Sequence, residues 1–242
     1  MTLDAITPQR PRLSDRKRAE IANDLLLLAR LHQRPIDRET VVGLWQRCYD
    51  GLLQLRHSDS ELRRSLNGFC RALTDIPTCF DTATGTTFRE DFARLCAATV
   101  MLSGPTQLDA LGQDWDWHVS RQSVDHWIER HGESPDPTTT IEPNRLALEL
   151  RQIAYLMAAD GVATPSARMV EMLGGDYHEC LARMAINCES ECQTQTYRSL
   201  AHLTAAYIRF LTGLLDAEVS QSAQLAITHH EPSTQRQEIH HA

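Results

Sequence analysis

The pattern of apolar and polar residues predicts α-helices along most of the chain. The clearest one starts at Glu142 and carries four apolar residues at a spacing that places them on one helix face. These residues are Leu146, Leu150, Ile153 and Met157. Pro143 suits the first turn, where its missing N–H is not needed, and Glu142 lies near the positive end of the helix dipole. We therefore expect a central helix that buries this face and leaves Arg145, Glu149 and Gln152 exposed.

Three further patterns predict helices in the first third of the chain. Their expected N-caps are Ser14 or Asp15, Asp37, and Ser58 or Ser60. Pro35 should end the first of these helices, because a proline in a helix interior removes a hydrogen bond and clashes with the preceding turn. We expect the second and third helices to form an antiparallel hairpin.

The remainder of the chain is also helical in pattern. Residues 76–87 hold a proline, a glycine and five threonines, which predicts a loop, and the helical period resumes at Phe88. The last long helix is expected from Tyr197 to Val219. Since no segment alternates long enough to be a strand, the predicted fold class is all-α, a single-domain bundle of about eight to ten helices.

The domain boundaries follow from the polar segments. Residues 1–13 should be a flexible N-terminus, and residues 14–219 should form the helical domain. The polar stretch 133–140, with Pro135 and Pro137, predicts a linker inside that domain. Residues 220–242 are polar and should be a disordered tail.

Composition and charge narrow the function classes. The chain has 242 residues, 42% hydrophobic content and a net charge of −8, which is typical of a soluble globular protein. A negative surface disfavours nucleic acid and favours cationic peptides. Seven cysteines without a disulfide spacing indicate reduced thiols and a cytoplasmic protein, and no apolar run is long enough for stable membrane insertion. Arg63 and Arg64 lie mid-chain with no hydrophobic region after them, so we expect a solvated helix face and not an export signal.

The start of the central helix resembles a known family. Glu-Pro-Asn-Arg-Leu-Ala-Leu-Glu-Leu, residues 142–150, is similar to the Glu-Pro-Asp-His-(apolar)-Ala-x-Glu-Leu segment of the TorD/DmsD/NarJ-type redox-enzyme maturation chaperones. The apolar frame and Glu149 match that segment. The family's Asp-His pair falls on Asn144 and Arg145.

Two further segments carry the same resemblance, which covers about residues 60 to 215. Residues 89–96 look like the family's Asp-Tyr-x-Arg-Leu-Phe helix, with Asp91 and Arg94 matching and Cys96 in place of an aromatic residue. Residues 202–210 resemble its His-Leu-x-x-Trp-x-x-x-Phe helix through His202 and Phe210, with Ala206 in the tryptophan position.

The resemblance implies a TorD/DmsD-like fold and a cytoplasmic chaperone that catalyses nothing and uses no cofactor. Its partner would be the catalytic subunit of a molybdopterin oxidoreductase, bound in its apo form and through its twin-arginine leader until the cofactor is inserted. The chaperone would be a monomer or homodimer. The residues implied in client binding are Asp91, Arg94, Glu142, Pro143, Asn144, Arg145, Glu149 and His202.

An alternative function rests on a cluster of metal-binding residue types. The segment with His178, Cys180, Cys188 and Cys192 could serve a helical metal-binding enzyme or sensor, because imidazole and thiolate bind zinc. However, Cys180 and Cys188 fall on apolar helix faces, where small buried cysteines are common. The common catalytic signatures are absent from the sequence, which favours a protein that is not an enzyme.

Overall fold

The computed structural model describes residues 13–55, 59–77, 80–100, 145–158, 169–170, 173–174 and 176–228. These residues form seven helices and no strand, which confirms the all-α fold class within the described part of the chain. The helices are α1 Asp15–Gln33, α2 Arg38–Asp50, α3 Ser60–Thr74, α4 Thr82–Val100, α5 Arg145–Ala158, α6 Asp176–Glu191 and α7 Gln195–Thr228. The predicted linker at 133–140 lies outside the described residues. No helix among those described is long and apolar enough to cross a membrane.

The predicted helix starts are confirmed at two of three places. Ser14 caps α1 by accepting the N–H of Lys17, and Asp37 caps α2 by accepting the N–H of Thr40. The third cap is Asp59, which lies between the two serines predicted for this role and accepts the N–H of Leu62 at 2.8 Å. Aspartate and serine are both favoured N-cap residues, so the sequence alone does not distinguish Asp59 from its neighbours.

Helix α4 begins earlier than predicted, inside the segment interpreted as a loop. Asp81 accepts the N–H of Thr84 at 2.8 Å, so it caps the new helix. The hydroxyl groups of Thr86 and Thr87 donate back to carbonyl oxygens one turn earlier. The rings of Phe80 and Phe88 pack edge to face at 5.4 Å. The cap and this aromatic contact outweigh the weak helix propensity of the threonines and the glycine.

Helix α5 lies in the core as predicted. Its four apolar positions, Leu146, Leu150, Ile153 and Met157, are all buried, which confirms that face. The helix packs along α1, and the side chain of Arg18 in α1 donates to the carbonyl oxygen of Met157 at 3.0 Å. Helix α7 also lies at the centre of the fold, because it packs on α3, α4 and α6. It continues to Thr228, beyond the point where the tail was expected to begin.

A buried histidine links α1 to α7. His32 is fully buried and its Nε2 lies 2.8 Å from the hydroxyl oxygen of Thr204. That hydroxyl donates its own hydrogen to the carbonyl oxygen of Leu200, so the imidazole Nε2–H must be the donor to Thr204. The other ring nitrogen, Nδ1, has no partner. A second proton would therefore be buried without an acceptor, and burial lowers the pKa of His32 from 6.5 to about 3.

This histidine should make the protein sensitive to acid. As the pH falls below 6.5, the unfolded chain takes up a proton at His32 and the native chain does not, so stability is lost progressively down to about pH 3. Replacing His32 with glutamine keeps a donor for Thr204 and removes the titration. Between pH 7 and about pH 5 we expect the variant to lose about 2 kcal/mol less unfolding free energy than the wild type.

The measurement is urea unfolding of both proteins at the two pH values. Asp24 acts in the opposite direction, because burial raises its pKa from 3.8 to about 6 and its protonation stabilises the native state as the pH falls through that window. Both proteins contain Asp24, so the difference between them isolates His32. An equal loss in the two proteins would contradict the assignment.

Candidate functional site

Asp91 holds a turn of the chain and does not face solvent. Its side chain is 0% exposed, and its two carboxylate oxygens accept the backbone N–H groups of Gln193 at 2.9 Å and Thr194 at 2.6 Å. Those residues form the turn between α6 and α7. The expectation that this carboxylate is available to a cationic leader is therefore wrong, since the protein's own backbone occupies both oxygens.

Arg94 neutralises the buried carboxylate. Its guanidinium lies 2.6 Å from an Asp91 oxygen and 3.8 Å from a Glu90 oxygen, and it is partly exposed. Because Asp91 lies three residues before Arg94 on the same helix, the two side chains meet on one face. The match of this pair to the family motif therefore corresponds to an internal ion pair that stabilises the turn.

Glu149 is also buried, which corrects the predicted exposed stripe of α5. The residue is 4% exposed, and its carboxylate accepts a hydrogen bond from the hydroxyl of Tyr177 in α6 at 3.1 Å. The outward position on this turn of α5 is Leu148, which is exposed. Glu149 thus joins α5 to α6, and a leader peptide has no direct access to it.

The buried acids share a sequence pattern that could have revealed them. Asp24, Asp91 and Glu149 each follow an apolar residue by three positions and precede another by four positions. The flanking pairs are Ile21 and Leu28, Phe88 and Leu95, and Leu146 and Ile153. At 100° per residue, such an acid lies within about 60° of its apolar neighbours, so it faces the core. All three acids are buried.

His202 is the most exposed member of the predicted set among the residues whose side chains the structure describes. Its Nε2 lies 3.5 Å from a carboxylate oxygen of Glu189 in α6, and the two side chains are 49% and 52% exposed. Glu142, Pro143 and Asn144 lie outside the described residues. Arg145 opens α5, and only its backbone is described.

A surface that the sequence interpretation missed surrounds His202. Ile186 is 64% exposed, the highest value for a large hydrophobic residue in the described chain, and Glu189 follows it one turn later. Glu179 lies two turns earlier on the same side of α6 and is exposed. We call this surface the acidic face and define it as Glu179, Ile186, Glu189 and His202. Arg183 is exposed on the same side of α6, four residues after Glu179, and its guanidinium lies 3.2 Å from the sulfur of Cys180.

A positively charged surface lies on α3. A groove of about 460 Å³ is lined by Ser60, Arg63, Arg64, Asn67, Gly68 and Arg71. Arg63 and Arg64 are exposed, which confirms their prediction as a solvated helix face. The three arginines of this groove would repel a cationic peptide, so the acidic face is the better match for such a ligand.

The residues of the metal-site hypothesis do not converge on one point: His178 contacts α7, whereas Cys188 and Cys192 hydrogen-bond to each other. The Nε2 of His178 lies 3.0 Å from the hydroxyl oxygen of Thr212, which itself donates to a main-chain carbonyl, so the ring N–H is the donor there. Cys188 and Cys192 are buried, and the sulfur of Cys192 lies 3.8 Å from the carbonyl oxygen of Asp91. In the described part of the chain no three His, Cys, Asp or Glu side chains converge as a metal site would require.

The described parts of the three segments that carry the family resemblance lie on three helices, and one of these helices contacts the other two. Asp91 and Arg94 lie on α4, the described end of the 142–150 segment lies on α5, and residues 202–210 lie on α7. Helix α4 contacts both α5 and α7. Comparison of the chain with models of known protein families, with curated proteins and with solved structures found no match in any of them.

Proposed function

We propose that this protein is a cytoplasmic chaperone that binds the twin-arginine leader and the apo form of a molybdopterin oxidoreductase subunit and assists cofactor insertion before export or assembly. One observation carries the proposal. The three segments that resemble the maturation chaperones are far apart in the sequence, yet they occupy three helices joined through α4. This arrangement supports the proposal, since residues that contribute to one helical core would explain a resemblance spread over distant segments. The proposed chaperone itself catalyses nothing.

The acidic face is the proposed contact surface for the leader. Its two carboxylates, Glu179 and Glu189, can accept hydrogen bonds from guanidinium groups in bidentate geometry, and Ile186 offers an apolar contact beside them. His202 positions Glu189 across the α6–α7 boundary. Asp91 and Arg94 fix the turn between α6 and α7, the two helices that carry this surface, and Glu149 fixes α6 against α5.

Reversing one charge on the acidic face should weaken the leader complex. We expect Glu189→Lys to raise the Kd for a twin-arginine leader peptide by at least about tenfold, or about 1.4 kcal/mol, because the substitution replaces an attraction with a repulsion. Calorimetric titration measures this effect. Added salt should weaken the wild-type complex, since the contact is exposed.

A matched variant controls for net charge. Glu39→Lys makes the same charge change on α2, at an exposed glutamate outside the acidic face, and should leave the Kd unchanged. Circular dichroism of both variants establishes that each is folded. Equal affinities in the two variants would remove Glu189 from the binding surface.

A further inference from the structure

Two cysteines from different helices face each other across the contact between α2 and α3. The sulfur atoms of Cys48 and Cys70 are 2.9 Å apart, with the Cys48 thiol as the donor, and both residues are half-buried. Three residues before Cys48, the indole N–H of Trp45 donates to the carbonyl oxygen of Leu73 at 2.7 Å. That bond holds the two helices in register beside the thiol pair.

We propose that Cys48 and Cys70 are a reversible redox site, at which a small disulfide such as glutathione disulfide oxidises the two thiols to an intramolecular disulfide. The proposal rests on the geometry of the pair and does not depend on the chaperone function. A disulfide requires its two Cβ atoms to be about 3.5–4.5 Å apart, which needs two backbone segments that approach closely. The two sulfur atoms, 2.9 Å apart on two packed helices, need to approach by only about 1 Å to reach the S–S bond length of about 2.05 Å.

The reaction balances without any further reactant. The Cys70 thiolate attacks one sulfur of glutathione disulfide, forming a mixed disulfide and releasing one glutathione thiolate. Cys48 then loses its proton and attacks the Cys70 sulfur, which releases the second glutathione. Two thiols are oxidised and one glutathione disulfide is reduced to two thiols. The hydrogen bond from Cys48 lowers the pKa of Cys70, which makes Cys70 the attacking residue.

A second cysteine pair provides an internal comparison. The thiols of Cys188 and Cys192 also hydrogen-bond to each other, but these residues are four apart on one helix, where the N–H of Cys192 donates to the Cys188 carbonyl at 3.0 Å. Side chains at that spacing have Cβ atoms about 5–6 Å apart, which is too far for a relaxed disulfide. Both residues are also buried from an oxidant. The Cys48–Cys70 pair should therefore oxidise selectively.

The test is peptide mapping of the folded, full-length protein after equilibration in glutathione buffers of increasing oxidised fraction. Free thiols are alkylated and the chain is then cleaved with trypsin. Cleavage after arginine places Cys48 in the peptide 48–56 and Cys70 in the peptide 65–71, so a disulfide appears as one cross-linked species. We expect this species to replace the two alkylated peptides as the oxidised fraction rises, and dithiothreitol should restore them.

Three variants distinguish disulfide formation between Cys48 and Cys70 from non-specific oxidation of the thiols. Cys48→Ser keeps a hydroxyl donor beside Cys70 and should leave Cys70 trapped as a mixed disulfide with glutathione. Cys70→Ser should abolish the cross-link with far less adduct on Cys48. The double variant Cys188→Ser/Cys192→Ser should oxidise between 48 and 70 as the wild type does. Absence of the cross-linked peptide from the folded wild type at every glutathione ratio, or its appearance only after denaturation, would overturn the proposal.

Discussion

Replacing Asp91 with alanine should lower the free energy of unfolding by about 2–4 kcal/mol, because it removes the charged acceptor of two backbone N–H groups and the partner of Arg94. Arg94 would lose its carboxylate, and the N–H groups of Gln193 and Thr194 would lose their acceptors. Gln193 and Thr194 form the turn before α7. A less stable turn should therefore also weaken the packing of α7 against its neighbouring helices. Urea unfolding followed by far-ultraviolet circular dichroism measures the change.

Two matched variants separate this role from a general effect of charge. Asp216→Ala removes an exposed carboxylate from α7 and should change stability by no more than about 0.5 kcal/mol. Asp91→Asn keeps one acceptor oxygen and loses the charge, so its stability should fall between the wild type and the alanine variant. A stable Asp91→Ala protein would show that the turn does not depend on this carboxylate.

Replacing Glu149 with lysine should lower the free energy of unfolding by at least about 3 kcal/mol, since it places a cation in a buried site that holds a carboxylate. The hydroxyl of Tyr177 would lose its acceptor at the contact between α5 and α6. The sequence alone predicts a different result for this substitution, namely a loss of leader binding from an exposed position. Burial changes that expectation, because any loss of binding would follow from a damaged fold.

The control lies on the same turn of α5. Leu148→Lys introduces the same cation at an exposed position and should change stability by no more than about 0.5 kcal/mol. Glu149→Gln keeps an acceptor for Tyr177 and should be milder than the lysine variant. Equal stability of Glu149→Lys and Leu148→Lys in denaturant unfolding would contradict the burial of Glu149.

Local sequence signals predicted the fold class and most helix starts. Ser14 and Asp37 were identified because a cap acts on an N–H only three residues away. The apolar face of α5 was identified because a regular period has one dominant solution. The start of α4 was missed, since it depends on Asp81 and on the contact between Phe80 and Phe88 as well as on propensity.

The candidate site was harder to predict because its residues act across the fold. Asp91 accepts bonds from a turn about a hundred residues later, and no local pattern identifies that partner. Glu149 was assigned to the outside because acids usually face solvent, although its spacing from Leu146 and Ile153 placed it on the buried face. The Cys48–Cys70 contact depends on how α2 and α3 pack, which the sequence does not specify.

The most direct test of the proposed function is calorimetric titration of the wild-type protein with twin-arginine leader peptides from molybdopterin oxidoreductases. The panel includes the leaders of dimethyl sulfoxide, trimethylamine N-oxide, nitrate and selenate reductases. Each peptide is paired with a version in which both arginines are replaced by glutamine. We expect at least one leader to bind and its glutamine version to bind at least about tenfold more weakly, because the acidic face pairs with the two guanidinium groups. Absence of binding by every leader, or equal binding of the paired peptides, would contradict recognition of the twin-arginine leader by this protein.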